Sequence, residues 1–128
     1  MQITNEQIVD FANMNVKKRK FPVRLLYALA MNGKSILPAL TAYSESREEL
    51  IKKHAKKDDD GNAVVNETGN YEFEDVEAWN KDIKELLESK AEIPVTTIPM
   101  SVIEKCDQPE FESLSFDDMN AIRFMIEG

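Results

Sequence analysis

The sequence predicts an α+β, mainly helical domain in which a long kinked helix packs antiparallel on a second helix through a β-hairpin. An extended edge segment and short terminal helices complete it. Three observations carry this reading. Capping-box patterns stand near both ends, at Thr4-Asn-Glu-Gln7 and Ser115-Phe-Asp-Asp118, where hydroxyl and N3 side chain satisfy each other's backbone amides. The segment "DVEAWNKDIKELLES" sets Val76, Trp79, Ile83, Leu86 and Leu87 on one helical face with charges elsewhere. Between the long helical pattern and that segment lies a turn-rich stretch, "DDDGNAVVNETGNYEFED", too polar and Gly/Asn-rich to continue a helix.

The first element follows Thr4, with Ile8, Phe11 and Ala12 sharing a face. The basic run Lys17-Lys-Arg-Lys20 interrupts the apolar pattern and reads as a solvated loop. Pro22 then suits the first turn of a helix, where its missing N–H costs nothing. From Val23 to about Lys57, Leu26, Leu29, Ile36, Leu40, Tyr43 and Leu50 recur at helical spacing as one core stripe. Asn32-Gly33 and Pro38 should kink or break this arm, because glycine is a poor helix former and an interior proline removes a hydrogen bond. Residues 58–74 read as the hairpin, with Ala63-Val-Val65 and Tyr71-Glu-Phe73 as its β-prone runs and no internal repeat. The amphipathic helix occupies 75–90. Residues 91–128 hold an extended segment, split by Pro94 and Pro99, and a closing helix through Met119, Ile122, Met125 and Ile126. The four segments are expected to form a single domain, 1–128, with 1–57 as a basic helical arm.

Charge divides the chain. Residues 1–57 hold eleven Lys/Arg against five Asp/Glu, a balance of +6, whereas 58–128 hold five against nineteen, a balance of −14. A basic arm and an acidic tail should pack together, steer a second copy, or face an anionic ligand. No apolar run reaches the length of about 20 residues that spans a bilayer, and no secretory pattern opens the chain, so the expected setting is a cytoplasm without membrane contact. Cys106 is the lone cysteine and reads as a small buried hydrophobe, compatible with a reducing compartment.

Motifs that would announce chemistry fail on inspection. Gly33-Lys34-Ser35 ends like a phosphate-binding loop, but Ala28 stands where the first glycine belongs and a helix precedes it instead of a strand. Counting an EF-hand from Asp58 puts Ala63 at the obligatory glycine and Gly69 at the bidentate glutamate. His54 is the only histidine and reads as a solvated helix residue. No catalytic residue, metal ligand or cofactor is assigned, and an enzyme is not expected. Direct nucleic-acid binding is not expected either, since a basic cluster of this kind is usually a solvated loop. A small anion would instead meet the basic arm: Lys20, Arg24 and Lys34 supply charge, Asn32 hydrogen bonds, and Tyr27 or Tyr43 a stacking face. The competing reading pairs these cations with the acidic half.

One resemblance adds a setting. The pattern running through Ala28 or Ala30, Asn32, Tyr43, Arg47 and Leu50, the turn Asp58, Asp60, Gly61 and Asn62, the helix with Asn80, Lys81, Glu85 and Leu86, and a closing helix ending in Met-Ile resembles small uncharacterised proteins of bacteriophages and prophages, chiefly of Firmicutes. It spans residues 20–127 and rests on helical patterns rather than a catalytic signature. The resemblance implies a viral setting and brings no activity with it; within that setting the split charge and the lack of a catalytic set point to work by binding in the host cytoplasm. Counter-defence comes first, through sequestering an anionic nucleotide immune signal or blocking a host defence protein. Virion assembly or morphogenesis, with association to the particle, is the alternative, and a nucleotide hydrolase ranks third. A homo-oligomer, most simply a dimer, is expected in each case.

Overall fold

The computed structural model describes residues 1–127 and is 56% helical, an α+β protein. Its elements in chain order are β1 (Gln2–Thr4), α1 (Asn5–Ala12), α2 (Val23–Ser35), α3 (Leu37–His54), α4 (Val76–Glu88), β2 (Lys90–Glu92), β3 (Ile98–Pro99), α5 (Met100–Glu104), α6 (Phe116–Ile122) and β4 (Ile126–Glu127). They fall into two compact units, Met1–Leu40 together with the chain from Lys90 onward, and Thr41–Ser89. No helix is long and apolar enough to cross a membrane among the described residues.

In the first unit both capping boxes form. The Thr4 hydroxyl accepts from the Gln7 amide while Gln7 Oε1 accepts from the Thr4 amide, and Ser115 and Asp118 repeat the exchange at the start of α6. Helix α2 presents Leu25, Ala28, Leu29 and Asn32 to the core, with Ile36 continuing the row. The expected stripe is therefore corrected by one position at its start: Leu25 is fully buried, whereas Leu26 is 38% exposed. Both leucines fit a 3.6-residue period, and only tertiary packing, in which α2 meets α5 and β3, selects between them. Ile8 and Phe11 of α1 and Ile122 and Met125 of the C-terminal segment fill the other side of this core. Cys106 is buried there, and desolvation raises its thiol pKa, as suits a hydrophobe rather than a nucleophile.

The long helix breaks as the sequence requires. Ile36 alone separates α2 from α3. Pro38, two residues on, has no N–H to offer the Lys34 carbonyl. Ile36 nonetheless keeps a helical backbone, with its amide bonded to Asn32 O at 3.0 Å and so not free for a ligand.

Three expectations change in the C-terminal third. The extended segment ends at Pro99, whose fixed φ opens α5, and the β-branched Val102 and Ile103 are buried on that helix. The closing helix stops at Ile122, passes through a 3-10 turn, and ends as β4, which pairs in parallel with β3 through Ile98 and Ile126. β2 finds an antiparallel partner in β1, a strand the sequence did not suggest, with Ile3 opposite Ala91.

The second unit packs α3 on α4. Its connecting segment carries three isolated antiparallel bridges, Ala55 with Phe73, Lys57 with Ala63 and Val65 with Tyr71. Two identical turns build it. Asp58 Oδ1 accepts from the amides of Asp60 and Asn62, and Asn66 Oδ1 from those of Thr68 and Asn70; Gly61 and Gly69 each take φ of 83°, which favours glycine. The amides of Lys56, Glu72 and Val64 donate in a closed ring to Glu72, Val64 and Lys56. Against the expectation of no internal repeat, an eight-residue one is present, Asp58-x-x-Gly-Asn62 followed by Asn66-x-x-Gly-Asn70.

His54 is likewise not a solvated residue. Its side chain is only 10% exposed, its ring stands edge-on to Trp79 with centroids 6.3 Å apart, and Nε2 lies 2.7 Å from Asp82. Trp79 stacks on Phe73 at 4.2 Å. The hydrogen bond from His54 holds the Asp82 carboxyl below its usual pKa, with Lys53 adding charge at 3.5 Å.

Candidate functional site: a basic recess at the start of helix α2

The basic run before α2 divides its labour. Arg19 is half-buried: its Nε donates to Glu112 at 2.7 Å, Nη2 donates to Asp118 at 2.8 Å, and the guanidinium lies 4.6 Å from the Phe21 ring centroid. Burial raises the Asp118 pKa, but the hydrogen bonds from Arg19 and Ser115 outweigh it and leave the carboxyl below its ordinary value. Glu112 donates its amide to Lys20 O at 2.8 Å, so the 108–112 loop is drawn up against the entry to α2. Arg19 is the staple that fixes this arrangement, and Lys17, Lys18 and Lys20 remain exposed.

A recess of about 340 Å³ results, lined by Pro22, Val23, Arg24, Val102, Lys105, Gln108, Glu110 and Phe111. Its floor is the first turn of α2, whose N-cap is Pro22 and which no side chain caps. With that turn uncapped, the positive end of the helix dipole lies beside the recess that Arg24 and Lys105 line. Gln108 adds a carboxamide and the half-buried Phe111 an aromatic face. Among the described residues, neither Arg24 nor Lys105 is joined to a carboxylate by an ion pair; the ion-paired side chains are Arg19, Lys52, Lys53, His54 and Lys84. Glu110 is the one acid on the wall.

No family model, curated protein or solved structure matches the chain. Its chemistry is therefore read from this geometry.

Of the six residues expected to meet an anion, Arg24 alone lines this recess. Lys20 precedes the helix, Arg24 lines the recess, and Tyr27, 62% exposed, follows Arg24 by one turn on the same face. Lys34 is exposed but lies roughly 15 Å further along the axis by helical rise, too far to share one small ligand with Arg24. Tyr43 belongs to the second unit. Asn32 turns inward and is fully buried: Nδ2 donates to Thr96 O at 2.9 Å and lies 3.3 Å from Met125 Sδ, while Oδ1 accepts from the Thr96 amide at 2.7 Å. Its amide is consumed in supplying hydrogen bonds to the stretch between β2 and β3, which has no ladder partner there. Lys105, Gln108 and Phe111 enter the site unannounced, because "EKCDQPEF" reaches α2 only through tertiary folding.

Proposed function

We propose that the protein acts by binding, as a phage accessory factor of counter-defence that captures an anionic nucleotide signal in the host cytoplasm. The observation that carries this reading is the convergence of Arg24 and Lys105, each without an acidic partner among the described residues, on an uncapped helix N-terminus beside Phe111. A phosphate bridges the two cations and accepts from the first-turn amides, and the base lies on Phe111 or Tyr27. The resemblance to phage proteins supports the setting, and the work is capture rather than turnover. Virion assembly stands second, favoured by the apolar side chains that the first unit leaves in solvent, Val23 at 81% and Phe116 at 77% exposure.

Calorimetric titration with cyclic mono- and dinucleotides and ADP-ribose tests the reading. Binding should weaken at least tenfold in Arg24→Ala and in Lys105→Ala, about 1.4 kcal/mol each, and should fall with salt. Absence of heat with every nucleotide, together with copurification with particles, would move the function to assembly.

A further inference from the structure

We infer that two copies of the chain associate by exchanging Phe116, the aromatic knob of each seated in an apolar groove of the other. The groove, about 280 Å³, runs along the joint of α2 and α3 and is floored by Phe11, Leu29 and Ile36, with Met14, Val16 and Leu37 at its mouth. Val16 and Leu37 are 40% and 55% exposed, so the mouth is apolar and open. Phe116 is the most exposed aromatic side chain among the described residues. It opens α6, yet has no local task there: Ser115 provides the cap, and Leu114 and Met119, at the two staple positions, are the residues that pack on the core. A phenylalanine ring brings a large apolar area to any contact it makes, and its exposure without a structural role marks a contact surface.

Charge selects a second copy as the occupant. Two of the groove's lining residues are followed in the chain by exposed lysines, Val16 by Lys17 and Gly33 by Lys34. Asp117 follows the knob in the chain and, with Asp10, lines a recess in which Asp118 is already paired with Arg19. Met14 lines both that recess and the groove, so the acidic knob and the basic hole are neighbours on one surface. A patch carrying its own complement beside it is what an isologous twofold contact needs, since each copy then gives and receives. Steering by the opposed charges makes the association sensitive to salt.

Gly33 supplies an independent handle. It lines the groove, and a Cβ built on it meets nothing within 4 Å, so a larger side chain there fills the hole without disturbing the helix. Sedimentation at ~100 μM, well above the dissociation constants of functional dimers, should find a wild-type dimer that dissociates at raised salt. Phe116→Ser removes the knob and Gly33→Leu plugs the hole. Each should weaken the dimer at least tenfold with an unchanged circular-dichroism spectrum. An equal mixture of the two variants should regain a heterodimer, because Phe116 of the Gly33→Leu chain still fits the open groove of the other. A wild-type monomer overturns the inference, as does a dimer indifferent to both substitutions. Uptake of an apolar dye by a monomeric wild type, abolished by Gly33→Leu, would assign the groove to a small ligand and overturn it equally.

Discussion

Arg19 and Arg24 are five residues apart in one basic segment and have opposite fates. Arg19 is tied into two carboxylates, while Arg24 faces an open recess. Only the return of the 108–118 segment separates them, because Glu112 and Asp118 lie more than ninety residues on. The staple should be visible in acid. Asp118 has a folded-state pKa below its unfolded value, so its stabilising contribution is complete above about pH 4 and is lost as the pH falls through the depressed folded value. Removing Arg19 as Arg19→Met should shrink this part of the acid limb, leaving only the share that Ser115 supports, and cost about 2 kcal/mol at neutral pH, as for a half-buried pair left with unmatched acids. Thermal melts of both proteins from pH 7 to pH 3 check it. Curves that stay parallel throughout would show that the Arg19 contacts are idle.

At the level of elements, helix starts were the most legible feature, since Thr4-Gln7 and Ser115-Asp118 satisfy their own amides with no help from distant chain. The break before Pro38 was legible for the same reason. The register of α2 was not. Leu25→Ala should cost about 3 kcal/mol, as for a leucine removed from a close-packed core, and Leu26→Ala about 1 kcal/mol or less. Urea denaturation of the pair measures the difference directly, and equal losses would mean the helix presents both residues alike. The octad repeat was legible but went unread: its signature is Gly-Asn three residues after an Asx residue, twice, eight apart, and hydrophobic periodicity is blind to turns that bury nothing.

For the whole molecule, the buried apolar residues are distributed unequally. Within Thr41–Ser89 only Ile51 and Ala55 are buried hydrophobics among the described residues, and α4, the most evidently amphipathic segment in the sequence, has no fully buried side chain. A unit with so small a core has little stability of its own. Trp79, the only tryptophan, lies in it and reports on it alone. Its fluorescence should therefore change at lower urea than the far-ultraviolet circular dichroism, which follows both units. Coincident transitions would show that the units unfold as one.

What the sequence determined by itself was local: where helices begin, that the long helix breaks, that 58–74 turns back on itself, and that apolar residues exceed what a solvated coil needs. These follow from bonds and steric limits that act within a few residues. Tertiary structure decided the rest. It chose Leu25 over Leu26, turned Asn32 from a ligand donor into the partner of Thr96, drew His54 against Trp79, made a helix of the β-branched 100–104 segment, and gathered Lys105, Gln108 and Phe111 around Arg24. Each of these depends on which distant surface removes a side chain from water or meets its charge, and that surface exists only once the chain has folded.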